Sequence, residues 1–475
     1  MTRHVVIIGA GIGGLTSAIR LVQHGSRVTV IEARSSAGGL ASGFEIDGFR
    51  FDAGPYVLLD RPGLEWGFRQ LNINPTDHFQ LQRIPHVYQV TSGSEQSVAI
   101  HDSLEETVAN FEARWPESGA LYRQFIDRTG ATYQRLQTMQ WKSNPGIRDV
   151  IRTGAWRDVP FILRSLSSVF KSSRLPEPIV RALSIWTEVA GQLTGQAPSP
   201  LALVPSVIHE VGACYPDGGI ATIPDVLFKV AVRSGVDFRF DTTVERIHCI
   251  NATVSEVQIE NETLVADAVI SNVGLATYVT LLDENGQSAL PYRTRRYFAK
   301  LPLQSPGVCA YLAVKGRAEP PYLRFWLRDE PDGCRLLITP GVVDPSLEQD
   351  DWYPARLIAP MSHTRAESGG KQGQRAFLDQ ALNETEWRDS FADVRVLRTR
   401  IPHEWGNAFH LHHNSMNPVM TSRFMLAGRI AHRSPWIRNL YLAGSATHPG
   451  QWVSFCAVSG ILAADRLLAD VGLNK

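Results

Sequence analysis

The chain has 475 residues, 44% of them apolar and 20% charged, which is too long for one ordinary core and implies two domains or one domain with large insertions. The 47 basic residues balance the 47 acidic ones, so there is no global field to attract a polyanion and no nucleic-acid partner is expected. Five cysteines (Cys214, Cys249, Cys309, Cys334 and Cys456) show no C-x-x-C spacing, which argues against a disulfide scaffold or zinc site and for a reducing compartment.

The apolar stretch Val5–Val22 is not a signal peptide. It lacks a cleavage pattern, is interrupted by Arg20 and carries Gly9, Gly11, Gly13 and Gly14. No run of eighteen uncharged apolar residues occurs elsewhere, so no transmembrane helix is predicted.

Val5–Ile8 reads as a buried parallel strand. Leu15, Ala18, Ile19 and Val22 recur at helical spacing, Gly25 closes the helix, and Val28–Ile31 forms a second strand ending on Glu32. Between them lies G-x-G-x-x-G. Gly9 permits the tight turn, Gly11 lets backbone approach a pyrophosphate, and Gly14 lets the helix pack on the strand. Glu32 suits an unphosphorylated ribose. These residues alone leave NAD and FAD open. Gly38-Gly39 marks a second turn. Phe44, Ile46, Phe49 and Phe51 alternate around Asp47-Gly48 as a hairpin, and Asp52-Ala-Gly54-Pro55 turns the chain again.

That order of elements resembles the FAD-binding half of the flavin oxidoreductase superfamily that includes amine oxidases and carotenoid desaturases. The resemblance implies FAD as cofactor. Glu32 and Ala33 would lie at the adenosine ribose, Gly38 and Gly39 along the diphosphate, and Gly54 near the flavin ring. The family often has Arg or Lys after Gly-Gly, where this chain has Leu40.

Lys142, Arg148, Arg152, Arg157, Arg164, Lys171, Arg174 and Arg181 give the next region a basic bias. After Pro160 the pattern predicts an amphipathic helix, with Phe161, Ile162, Leu163, Leu166, Val169 and Phe170 on one face and Arg164, Ser165, Ser167, Ser168 and Lys171 on the other. Such a helix either packs on its own domain or rests on a membrane surface. Tyr215–Gly219 reads as a turn, Thr222–Ser234 as a helix, Val236–Phe240 as a strand, and Val265–Ile270 as an apolar run into Ser271-Asn272. The arrangement resembles the segment returning to the FAD domain in carotenoid desaturases, which implies that Val244 meets the adenine through its backbone. Only one G-x-G-x-x-G is present, so electrons are expected to leave to oxygen or a quinone. His410, His412 and His413 lack acids or cysteines at ligand spacing, and no metal site is expected.

Near the C-terminus, Asn439–Ala443 reads as a strand and Gly444 as a turn. From about Trp452 to Asp470 a helix is predicted, with Ala457, Gly460, Ala463 and Ala464 forming a smooth side. L-Y-L-A-G-x-x-T-H-P-G resembles the bacterial phytoene desaturases. The resemblance implies that Gly444 meets the diphosphate and that Gln451, Trp452 and Val453 lie at the pyrimidine side of the flavin. His448 and Trp452 are the candidate catalytic side chains, with flavin N5 carrying the chemistry. Pro449-Gly-Gln, followed by Ala457–Gly460, is similar instead to the carotenoid isomerase and retinol saturase branch.

The expected fold is α/β: a discontinuous Rossmann-like FAD-binding domain (residues 1–105, 205–285 and 415–475) and an inserted α+β substrate domain (residues 106–204 and 286–414) with a helical, membrane-contacting part. The expected function is FAD-dependent desaturation of a phytoene-type carotenoid, by a cytoplasmic protein associated with the inner face of the membrane. A flavin-dependent carotenoid isomerase or polyene saturase is the alternative, and a flavin amine oxidase or a flavin-bound protein without turnover are more distant ones.

Overall fold

A computed structural model of the chain describes residues 3–93, 96–143, 145–192, 195–260, 262–316 and 319–472. At its centre is a parallel sheet with strands in the order Leu440–Leu442, Ala268–Ser271, His4–Ile8, Arg27–Ile31 and Asp237–Arg239. The apolar run Val5–Ile8 is uninterrupted because both faces of this sheet are covered. Val5 and Ile7 enter one core cluster, with the helices Ile12–Gln23, Thr222–Arg233 and Val453–Asp470. Val6 and Ile8 enter another, with Val244, Ile247 and Val257 of an antiparallel meander. Each such fully buried aliphatic side chain contributes about 1.5–3 kcal/mol.

The first and last helices pack at glycine distance. A Cβ at Gly460 would sit 2.1 Å from both the Gly13 carbonyl oxygen and Thr16 Oγ1. Thr16 donates to the Ala457 carbonyl (3.1 Å) and Ser17 to the Gly460 carbonyl (2.8 Å). Ala457, Gly460, Ala463 and Ala464 are all buried on the side expected from their size.

A seven-stranded mixed sheet forms the second layer, in the order Val394–Arg400, Val308–Lys315, Trp352–Ala359, Cys334–Ile338, Leu323–Leu327, His86–Ser92 and Gln96–His101. His86–Ser92 pairs in parallel with Leu323–Leu327. His86–Ser92 thus takes a hydrogen-bond partner strand that lies more than two hundred residues away in the chain. A helical layer, from Ser118–Gln140 to Glu177–Glu188, covers one side.

Two local expectations change. The apolar run 265–270 is split: Glu262–Val265 belongs to the meander and Ala268–Ser271 to the central sheet. Asp267 pins the junction by accepting the His4 N–H on its carboxylate at 2.8 Å. The amphipathic helix after Pro160 is also two pieces, Val159–Ile162 and Leu166–Ser173, the second capped by Ser165, which accepts the Ser168 N–H. Leu166, Val169 and Phe170 are buried against the helical layer, so they are not the face shown to solvent.

Candidate functional site

The three central strands end in register. Ile8 pairs with Ser271, and Ser271 with Leu442, so Gly9, Asn272 and the Ala443-Gly444 turn lie side by side at the C-terminal edge of the sheet. This is the edge where open α/β sheets bind ligands. Gly9 adopts φ +92°, and its N–H donates to the Ile31 carbonyl at 2.8 Å. A Cβ at Gly14 would fall 2.0 Å from the Gly9 carbonyl oxygen, so only glycine lets the helix start so near the strand. Gly11 ends this turn as the N-cap of the helix Ile12–Gln23, which has no side-chain cap and no acid in its first turn.

Glu32 is buried at the end of the second strand. Its Oε2 accepts the Ala10 N–H at 2.7 Å and its Oε1 the Arg34 N–H at 3.0 Å. Ala33 lies between these anchors. Thr242 donates its N–H to the Glu32 carbonyl at 3.0 Å, which sets Val244 on the same rim. The Gly38-Gly39 turn crosses the glycine loop: the Gly38 N–H donates to the Ala10 carbonyl at 2.9 Å, and a Cβ at Gly39 would stand 3.2 Å from Gly11 Cα. A Cβ at Gly54 would meet the Leu40 carbonyl oxygen at 2.5 Å.

Asp52, at the end of the hairpin Gly43–Ile46 and Phe49–Asp52, is held by the Tyr215 hydroxyl (2.8 Å) and the Ala221 N–H (3.0 Å). Burial pushes its carboxyl above the ordinary carboxylate range. Arg356, from the seven-stranded sheet, donates to the carbonyls of Asp52 (2.7 Å) and Gly54 (3.1 Å) and so fixes this turn.

On the opposite side, Gly444 (φ +90°) donates its N–H to Ser459 Oγ at 3.0 Å. The Asn272 side chain is wedged between the two glycine turns, its Oδ1 lying 2.5 Å from a Cβ at Gly13 and 2.4 Å from one at Gly444. Asn272 and Arg356 were given no role from the sequence. The strand-end register would have marked Asn272, whereas nothing local marks Arg356.

His448 does not open onto this edge. Its Nε2 donates to the Met139 carbonyl at 3.3 Å, tying the turn after Gly444 to the end of the helix Ser118–Gln140. Burial, reinforced by the nearby Arg429 charge, pushes its pKa down to about 4. His432 donates from Nε2 to the His448 carbonyl (2.9 Å), so its Nδ1 accepts from the Ser143 hydroxyl (2.7 Å), and burial lowers it to about 3. Both imidazoles are held neutral, and each ties its segment to a backbone carbonyl. Gln451 accepts from Asn417 at 3.4 Å. Trp452 stacks on Phe455 with centroids 4.8 Å apart. Trp452 is also the N-cap of Val453–Asp470, again with no side-chain cap and no first-turn acid.

Two helix N-termini without caps therefore point their N–H groups at one sheet edge lined by glycines. That donor set fits a group carrying a diphosphate at one end and accumulating negative charge at the other, and such a pairing defines a flavin oxidoreductase on a nucleotide-binding fold. Comparison with known proteins agrees. The NAD(P)-binding Rossmann-like domain matches residues 7–66, and the flavin-containing amine oxidoreductase family matches residues 203–468, more than half of the chain. The chain belongs to the flavin-containing amine oxidoreductase family. It is 26% identical to a zeta-carotene-forming phytoene desaturase of Myxococcus xanthus, covering 98% of this chain and 94% of that one. It is 25% identical to a carotenoid 3,4-desaturase of Haloarcula japonica, covering 98% of both. An oxidoreductase from Methanosarcina mazei shares the fold with a TM-score of 0.69 at 18% identity, over 97% of this chain and all of that one.

Proposed function

We propose that the protein is an FAD-dependent dehydrogenase that introduces carbon–carbon double bonds into a long apolar isoprenoid of the phytoene type. Full-length likeness to carotenoid desaturases supports the class of substrate. The observation that bears on the choice over an amine is the buried carboxylate Asp52: both its oxygens are engaged, by the Tyr215 hydroxyl and the Ala221 N–H. It is not free to receive an ammonium group, whereas a hydrocarbon needs no countercharge.

Bound FAD supplies a two-electron acceptor at N5. The chain's own residues hold, orient and dry the site. Glu32 keeps a lone pair on each oxygen for ribose hydroxyls, Ala33 lies beside it, and Val244 would meet the adenine. Gly11, Gly13, Gly38, Gly39 and Gly444, whose turns pack on one another and on neighbouring side chains, would line the diphosphate with backbone. Gly54, Gln451, Trp452 and Val453 would border the ring, and the N–H groups at the start of the helix Val453–Asp470 would stabilise negative charge there without reorganising. Trp452 and Phe455 limit the space above the ring and exclude water. A quinone or oxygen takes the electrons onward.

A lipid-soluble substrate needs an entry from a bilayer, and one surface suits it. Among the described residues, Ile147 (79% exposed), Ile151 (63%), Trp156 (56%), Val159 (46%) and Leu163 (65%) project from one short segment. Arg148, Arg152 and Arg157 are interspersed with them. The two acids of that segment are already engaged, Asp149 by Lys142 and Asp158 by Arg135. This face combines apolar burial with attraction to anionic lipid, and it replaces the Leu166–Phe170 face expected from periodicity. No helix among the described residues is long and apolar enough to cross a membrane.

Pigment analysis of a phytoene-producing bacterial host tests the proposal: expression of the chain should convert phytoene into more unsaturated, coloured carotenes. A second reading, polyene isomerase or saturase, draws on the Trp452–Phe455 stack, which leaves less room over the ring than small residues would. That chemistry needs reduced flavin, so activity only after dithionite treatment would select it.

A further inference from the structure

Leu40 stands where a cation often follows Gly-Gly, and the structure turns its side chain away into an apolar cluster with Phe44, Phe49, Tyr311 and Trp405. Beside that cluster, Arg400 reaches over from the edge strand Val394–Arg400 of the seven-stranded sheet. Its guanidinium lies 4.8 Å from the Phe44 ring and 5.0 Å from the Trp405 ring, with Nη1 buried and without a hydrogen-bond partner. Among the described residues no carboxylate lies within ion-pair distance of it, and Glu404, four residues on, pairs with Arg375.

The next ring, Phe409, carries a second arginine. Arg34 sits 4.3 Å over Phe409 and donates to the Gly39 carbonyl (3.2 Å) and Ser42 Oγ (3.1 Å). The two guanidinium groups are close enough for Arg400 to help depress the Arg34 pKa, after burial and against the pull of Glu32. Two neighbouring, partly buried cations with an unsatisfied N–H need an acceptor-rich anion. They flank the Gly38-Gly39 turn, which itself lies against Gly11 at the uncapped start of the first helix.

We propose that Arg400, from the seven-stranded sheet, together with Arg34 supplies the positive charge at the FAD diphosphate that position 40 lacks. This rests on FAD being the cofactor and is independent of the substrate. It also makes the seven-stranded sheet part of the cofactor site, so that separation of the two layers loosens FAD.

The test is FAD release from the purified, full-length holoprotein, followed by the rise of free-flavin fluorescence on dilution. Loss of a charged hydrogen bond predicts that Arg400→Met releases FAD roughly 10- to 100-fold faster. Arg400→Lys should release it at an intermediate rate, and Leu40→Arg in the Arg400→Met background should restore retention. Added salt should speed release from the wild type more than from Arg400→Met. Release from Arg400→Met at the wild-type rate would overturn the proposal. So would faster release that stays as salt-dependent as the wild type and is not restored by Leu40→Arg, because Arg400 would then only pack the aromatic rings. If the protein as purified carries no FAD at all, it is the cofactor assignment that fails, not this one.

Discussion

Gly460→Ala should loosen the protein and its cofactor together. The added Cβ would sit 2.1 Å from the Gly13 carbonyl oxygen and from Thr16 Oγ1. Neither can retreat, because Gly13 lies in the first turn of the nucleotide-binding helix and Thr16 is buried. The helices must separate by about an ångström to restore van der Waals distance. Separation weakens two buried hydrogen bonds, Thr16 to Ala457 and Ser17 to Gly460, each worth about 1 kcal/mol. Overpacking strain adds about 1–3 kcal/mol, and the helix-propensity gain of alanine returns only about 1 kcal/mol. The net expectation is a loss of about 2–4 kcal/mol. Gly67 provides the control. It faces the same C-terminal helix, but its Cβ would meet Ala457 Cβ at 3.5 Å and Ile461 Cδ1 at 3.6 Å, ordinary contact distances. Gly67→Ala should therefore be neutral or stabilising by up to about 1 kcal/mol. Thermal unfolding of both variants, with flavin release recorded alongside, checks this. Gly460→Ala should melt several degrees lower and release flavin earlier. A melting temperature equal to the wild type's, or a larger loss for Gly67→Ala, would refute the close-packing argument.

Trp452→Gly should remove the Trp452–Phe455 stack and shift the range of products formed from one isoprenoid substrate, as read by chromatography of the pigments; an unchanged profile would place the indole outside the substrate space. His432 makes stability depend on pH. Its pKa is lowered by burial to about 3 against about 6.5 in the unfolded chain. The unfolded state thus binds more protons between those values, so the contribution is complete above about pH 6.5 and declines as pH falls. At roughly pH 5 the loss from this residue is about 2 kcal/mol, and His432→Gln should flatten the dependence of melting temperature on pH between about 5 and 7. Replacing Ile151, Trp156 and Leu163 together by Ser should weaken binding to phosphatidylglycerol-containing vesicles at least tenfold by the apolar area lost. Equal sedimentation with vesicles would move the membrane face elsewhere.

Much of the cofactor edge is legible locally. The strand–glycine–helix–strand–Glu32 run, the Asp47-Gly48 turn with both residues at positive φ, and the small side of the last helix each follow from spacing within a few residues. Elements set by distant partners are not legible in this way. His86–Ser92 is a strand of ordinary composition until Leu323–Leu327 is placed beside it. Amphipathicity marked Leu166, Val169 and Phe170 as one face but could not say that the helical layer covers it. The exposed apolar residues Ile147–Leu163 lie on short helices and turns, too brief for a periodic signal. Asn272, Arg356 and Arg400 come to the site only through strand register in two different sheets. His448 drew notice as a polar side chain in a glycine turn, and its carbonyl partner, Met139, lies 309 residues earlier.

On the proposed function, the oxidised flavoprotein takes electrons from an isoprenoid hydrocarbon. The most direct measurement mixes the purified holoprotein anaerobically with phytoene in liposomes and records the flavin's visible band together with polyene absorbance. Bleaching of the flavin matched by the appearance of longer conjugated polyenes is the expected result. No bleaching with phytoene, but polyene conversion after dithionite or bleaching by a simple amine, would contradict it.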